Sequence, residues 1–348
     1  MIMKNIRYIV AVLFLLVCSQ AVVAQTAQSA YFLDGMLYNS KLNPAMKAER
    51  GYFSLLLGNT SLRTRGNVGV SNFLYPTDGN KLATFMSGSV DKNEFLGKLP
   101  ENSRLGFNLD ETILSAGFRA FGGYASLGIS LHSSMAVTLP KGLFEFAKKG
   151  FQENSYSFSG LNVNTMNYVA ATLGYSYEVI KGLRIGANIK YLAGLAHADL
   201  YVDKLNVELS GQRWMIESHA QMQAALLCET TVKKDENGVV NGADIALNAD
   251  ALKRVRTSDG YAFDFGVVYD MDHIVPGLSL SASVVDLGAI TWEYMMGAQS
   301  TDAKVEFNGF GEVDYNDAEN VVEAELERLA DDASKMVEFN YEGESKVK

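Results

Sequence analysis

Apolar and polar residues alternate one for one over several long stretches of this chain. In 183–191, Leu183, Ile185, Ala187, Ile189 and Tyr191 share one parity, and Arg184, Gly186, Asn188 and Lys190 the other. In 261–271, Tyr261, Phe263, Phe265, Val267, Tyr269 and Met271 oppose Ala262, Asp264, Gly266, Val268 and Asp270. Residues 124–132 set Ala125, Leu127, Ile129 and Leu131 against Tyr124, Ser126, Gly128, Ser130 and His132. Residues 113–121, 168–178 and 278–284 behave alike. A period of two predicts β-strands with one apolar face, because successive side chains on a strand point to opposite sides of the sheet. Several of these strands run to about ten residues or more, where soluble strands average five or six.

Turn signals divide the strands into pairs. Gly122-Gly123, Ile180-Lys181-Gly182 and the stretch 272–277 with Pro276-Gly277 predict short connections. Long polar connections at about 63–105, 139–161 and 203–260 separate the pairs. Within 203–260 the pattern suggests two further strands, near 203–210 and 213–230, belonging to an excursion on the long-loop side. Two stretches carry helical spacing instead: Leu143–Gly150, and 317–337 with Val321, Val322, Leu326, Leu329, Ala333 and Met336 amid acids.

Composition then decides what the apolar faces meet. Hydrophobic residues make up 48% of 348 residues, charged residues only 20%, and the mean hydropathy is near zero. No helix-length apolar run follows the first few dozen residues, which excludes a helical membrane protein. Lys4 and Arg7, an apolar run from Tyr8 to Cys18 and small residues ending at Ala24 have the three parts of a cleavable secretory signal. A lipid-attachment reading of Cys18 is the weaker alternative, because Val17 is bulky for the position before such a cysteine. Removing 1–24 takes two of 30 basic residues, leaving 28 against 40 acids, a charge of −12. That balance argues against nucleic-acid partners, which require a basic face. An exported chain with long alternating strands, Gly- and Ser-rich polar faces and aromatics beside the short turns (Phe121, Tyr124, Tyr175, Tyr177, Tyr269) predicts an antiparallel transmembrane β-barrel of the cell outer membrane. Membrane lipid is then its first partner.

Around the first predicted strand, Tyr52–Leu62, a further feature emerges. Tyr38-Asn39-Ser40-Lys41-Leu42-Asn43-Pro44-Ala45 precedes it, and the blocks Leu183–Ala196 and Leu278–Trp292 lie downstream. Together they resemble the long-chain fatty-acid outer-membrane transporter superfamily, and within it a group of uncharacterised Bacteroidetes-type outer-membrane barrels. The resemblance spans most of 30–340. It implies a plug at 25–50 inside a barrel over 51–348, and passage of hydrophobic small molecules. It implies Tyr31, Phe32, Leu33, Met36, Leu37, Asn43 and Pro44 as plug or ligand residues. Relatives of that group also imply an alternative, an interaction barrel that partners a protein secretion or surface-assembly system. The superfamily pattern has about fourteen strands against roughly eight to ten counted here. The sequence is therefore expected to lack its C-terminal strands, and the barrel to be incomplete at that end.

Covalent chemistry finds no support in the residues. His132, His197, His219 and His273 have no metal-ligand spacing, and no nucleophile elbow, phosphate loop or dinucleotide fingerprint is present. No enzyme activity, cofactor or metal is expected. Asp235-Glu236-Asn237-Gly238 reads as an exposed turn, and Cys228 as a small apolar filler. Arg119, Glu178, Arg184, Lys190 and Asp264 fall on the polar parity. Charges on the lipid side cost about 2–4 kcal/mol near the midplane, so these five are expected to line the lumen as a paired network.

Overall fold

The computed structural model describes residues 37–348, apart from 38, 49, 56–58, 78–80, 151–154, 210–213, 227–228, 235–239, 247–257, 294–295, 308–337, 341–345 and 348. The leader at 1–24, Tyr31, Phe32, Leu33, Met36, Cys228, the turn at 235–238 and the helical stretch 317–337 lie outside the described residues.

The described chain is predominantly β and its strands pair antiparallel. The first part holds β1 (Tyr52–Leu55), β2 (Thr60–Gly66), β3 (Leu74–Thr77), β4 (Lys81–Thr84), β5 (Asn102–Ala120), β6 (Gly123–Pro140) and β7 (Ser155–Ser157). Next come β8 (Leu161–Ile180), β9 (Leu183–Leu209), β10 (Trp214–Leu226), β11 (Glu229–Lys234) and β12 (Val240–Ala246). The last are β13 (Ser258–Asp270), β14 (Ser279–Glu293), β15 (Met296–Phe307), β16 (Glu338–Asn340) and β17 (Lys346–Val347). Four of them reach 19, 18, 20 and 27 residues: β5, β6, β8 and β9. Thirteen strands join one sheet, whose order runs from β1 and β2 through β5, β6 and β8 to β9.

At β9 the sheet forks along the length of one strand. Residues 183–193 pair with β13, and residues 196–209 of the same edge pair with β10. β13 and β10 are thus two halves of one long descending path, and the β11–β12 hairpin lies between them in the chain. β14 and β15 repeat this on the way up, pairing with β13 and β10 in turn. This corrects the reading of 203–260 as one excursion: 203–209 continue β9, and 214–226 belong to the main sheet. Alternation is local and cannot say that two separate segments share one edge of a partner. The described pairings close no ring of strands.

The short turns sit where expected, with one shift. β5 and β6 join through Phe121-Gly122, with φ of 50° and 80°, the left-handed pair of a type I′ hairpin. Lys181-Gly182 joins β8 to β9, with Gly182 at φ 85°.

At the opposite end, the β3–β4 hairpin and the helices Lys92–Gly97 and Lys141–Lys149 form a small cap. Its core packs Val90, Phe95, Leu96, Leu99 and Phe144 with Phe73 and Phe85. The second helix matches the stretch predicted at 143–150. The Lys148 ammonium donates to the Phe85 and Ser87 carbonyls and ties that helix to the hairpin. Asp91 caps the first helix by accepting from the Asn93 and Glu94 N–H groups. Asp91→Ala is expected to cost about 1 kcal/mol, read as faster amide exchange over 92–99 with the long strands unchanged.

Candidate functional site

The strands present two unlike faces. Leu173, Tyr175, Tyr177, Ile185, Ile189, Tyr191, Tyr261, Phe263, Phe265, Leu280, Val284 and Leu287 are exposed on one, among many large apolar side chains there. This band starts beside the short turns, where Phe118 and Phe121 are also exposed. Farther along the strands Tyr191 and Tyr261 face each other as a cross-strand pair, their rings 5.6 Å apart. Tyr124 departs from this aromatic set. Its parity turns it inward, where it is buried and donates to the Arg50 carbonyl.

The other face carries the Asn-Pro-Ala segment. Gly186 of β9 and Gly266 of β13 are direct cross-strand partners, and their missing side chains leave a depression. A Cβ on Gly186 would overlap the Pro44 carbonyl, and one on Gly266 would overlap the Asn43 side chain. Asn43 is 0% exposed. Its Nδ2 donates to the Val267 carbonyl at 3.2 Å and the Ala282 carbonyl at 3.4 Å, while its Oδ1 accepts from Ala45 N–H at 2.9 Å. Ser283 donates to the Leu42 carbonyl, Arg184 to the Ala45 carbonyl and Asn188 to the Ser40 carbonyl. Lys41 donates to Thr112 of β5 at 2.6 Å. In a flat sheet β5 and β14 would lie about 24 Å apart, five steps of about 4.8 Å. Lys41 and Leu42 are neighbours yet reach both strands, so the sheet curls around this segment.

Above it sits an ionic cluster. Asp264, 0% exposed, accepts from Asn188 Nδ2 and Lys190 Nζ at 2.8 Å each and from the Asp286 backbone N–H at 2.7 Å. Lys190 also bonds Asp286 at 2.6 Å. Asp286 occupies a left-handed position, φ 58°, where the β13–β14 register shifts. That bulge turns its N–H toward Asp264. Arg184 pairs with Asp270 at 3.1 Å. Glu178 caps the short turn by accepting from Gly182 N–H, and Arg119 is exposed near the Phe121 turn. Of the five charges expected to line the lumen, the fold brings Lys190 and Asp264 into direct contact and places Arg184 beneath the Asn-Pro-Ala segment. Glu178 and Arg119 stand at the turn end. Leu37 is exposed.

Next to the cluster the polar face becomes apolar. Ala170, Leu192, Ala225, Ala262, Ile290 and Trp292 form a buried cluster, with Met166 and Tyr168 against it. Leu192, Ala262, Ile290 and Trp292 of this cluster, with Met166 and Tyr168, border a cavity of about 540 Å³, whose polar lining comes from Asn164, His197, Asp199, Gln223 and Asp286. It adjoins the gap between β10 and β13. His197 follows Tyr191 on β9, with its ring 5.1 Å from Trp292. Sequence reading missed this cavity. Leu192, with Met166 and Tyr168, continues the inner parity of its strand, and apolar residues on a polar parity were the available signal there. Ile290 and Trp292 carry the apolar parity of 278–284 and are turned inward only by the bulge at Asp286, which gave no such signal.

A second array lies on β5 and β6. Asp110 bonds His132 Nδ1 at 2.6 Å and Arg63 at 3.1 Å, Ser130 meets His132 Nε2 at 2.9 Å, and His132 stacks on Tyr168. The order Ser-His-Asp is that of a nucleophile relay. Ser130 is buried, however, and β6 is paired on both edges around it, so its backbone offers no free N–H groups for an oxyanion. The array serves to join β5, β6 and β8. Among the described residues no group of three or more His, Cys, Asp and Glu side chains is placed to hold a metal.

Residues 44–348 match the model of a protein family described as a family of unknown function, DUF5723. The chain belongs to that family. The match begins at Pro44, so it takes in the Pro-Ala of the segment on the inner face, the ionic cluster and the cavity. No curated protein and no solved structure matches the chain.

Proposed function

We propose that this family member is an outer-membrane β-barrel that passes hydrophobic small molecules by binding alone, in the manner of the long-chain fatty-acid transporters it resembles. The cavity beside Trp292 carries the reading. A pocket of 540 Å³ with Leu, Ile, Met, Tyr and Trp in its walls has the size and chemistry of a small-molecule site, and it lies on an otherwise polar inner face. The outward apolar band suits a lipid surface, with Tyr191 and Tyr261 at one edge and Phe121, Tyr175 and Tyr177 at the other. In this reading the segment around Asn43 and Pro44 is a plug, and the leader directs export.

The test is uptake of a fluorescent long-chain alcohol by liposomes carrying the full chain. Uptake faster than in empty liposomes is expected, and Ile290→Trp, which narrows the cavity at its apolar wall, is expected to slow it about tenfold or more, in line with loss of a buried contact surface. Uptake no faster than in empty liposomes would remove the transport reading. The alternative role in secretion or surface assembly draws on the cap, whose Phe95 core gives the long-loop end a folded surface. Retained uptake in a chain lacking 67–100 would separate that surface from transport.

A further inference from the structure

We propose that the cavity selects amphiphiles with an amine head group over those with a carboxylate. This rests on the reading of the cavity as a site for hydrophobic molecules, and it concerns which head group that site accepts.

The described residues that line it include two carboxylates, Asp199 and Asp286, and no Lys or Arg. The Lys190 ammonium, which reaches the lining residue Asp286, has a side chain only 13% exposed and is already bonded to both Asp264 and Asp286. An incoming carboxylate would have to displace those fixed acids from Lys190 and would meet the Asp286 charge as it did so. An amine meets the opposite situation. The Asp286 carboxylate is 67% exposed, so it keeps lone pairs open after Lys190 has taken its share. Asp199, held by Asn164 Nδ2 at 3.3 Å, supplies further acceptors on the polar side of the same cavity. An ammonium brings three N–H donors and no acceptor, which matches a wall whose charged groups only accept. The Tyr168 and Trp292 walls suit an alkyl tail, and aromatic faces attract a cation where they repel an anion.

The backbone is arranged to keep Asp286 in this place. Its left-handed φ is costly for a residue with a side chain, and the bulge is repaid by the N–H bond to buried Asp264. Asn tolerates the same φ, so Asp286→Asn removes the charge and leaves the bulge.

Trp292 is one of two tryptophans, and Trp214→Phe makes it the sole reporter in the full chain. In that background, reconstituted in lipid nanodiscs, Trp292 fluorescence is titrated with dodecylamine, dodecanoate and dodecanol. The amine is expected to bind about tenfold or more tighter than dodecanoate, the scale of a charge-assisted hydrogen bond. That preference is expected to shrink in Asp286→Asn and in Asp199→Asn and to vanish in the double variant, each read as the ratio of amine to dodecanoate affinity with dodecanol titrated alongside as the neutral reference. The variants leave partition into lipid untouched, so the change reports the cavity. Equal or tighter binding of dodecanoate overturns the proposal, as does a preference that survives in the double variant. Failure of dodecanol to bind at all overturns the underlying reading of the cavity as a hydrophobic site.

Discussion

Lys190→Met is expected to destabilise the protein by about 3–5 kcal/mol, the cost of leaving a buried charge without its partner. Lys190 stands between two carboxylates, one of them wholly buried. Met keeps most of the side chain's bulk, so the loss is electrostatic. Without the ammonium, Asp264 retains Asn188 and the Asp286 N–H as donors but shares its surroundings with a second carboxylate. The measurement is the unfolding midpoint of the reconstituted chain in urea. A second variant isolates the cause. Adding Asp264→Asn to Lys190→Met removes the stranded charge, and the double variant is expected to recover part of the loss, a non-additivity of about 1–3 kcal/mol. Equal midpoints for Lys190→Met and the parent would show that solvent reaches the cluster freely.

Gly186→Val is the second large effect. Its Cβ overlaps the Pro44 carbonyl, which is backbone and cannot swing aside as a flexible side chain would. Either β9 distorts or residues 42–46 lift off the sheet. The second outcome costs less, because the long pairings of β9 with β8 and β13 hold the strand. Lifting breaks the Asn43 bonds to Val267 and Ala282 and the Arg184 bond to Ala45. Overpacking of this kind costs about 1–3 kcal/mol. The expected result is trypsin cleavage at Lys41, Lys47 or Arg50 in the variant under conditions that spare the parent. Gly128→Val serves as the control: its nearest neighbour is the Leu114 carbonyl at 3.5 Å, an ordinary contact, and cleavage there should match the parent.

These two expectations differ in how far the sequence announced them. Alternation placed Lys190, Asp264, Gly186 and Gly266 on the inner parity without any coordinates, because parity along a strand is a local property. The Asn-Pro-Ala element drew notice by its place before the first strand. Nothing local paired Gly186 with Gly266 or set Asn43 above them. Those facts depend on the register between β9 and β13 and on a segment more than a hundred residues away. The partners of Asp264 illustrate the same limit. One arrives through parity on the next strand, and another is a backbone N–H turned by a bulge at Asp286 that no alternation pattern encodes.

By itself, then, the sequence determined that the chain makes long antiparallel strands with one apolar and one polar face, where its short turns fall and which residues share each face. The reason is that a period of two and a left-handed turn are both written in neighbouring residues. Tertiary structure alone decided that β10 and β13 divide one edge of β9, that the sheet curls around Asn43, and that Leu192, Ile290 and Trp292 meet over a cavity edged by Asp199 and Asp286. Each of these is set by registers, bulges and curvature that accumulate across strands far apart in the chain, and only the assembled sheet specifies them.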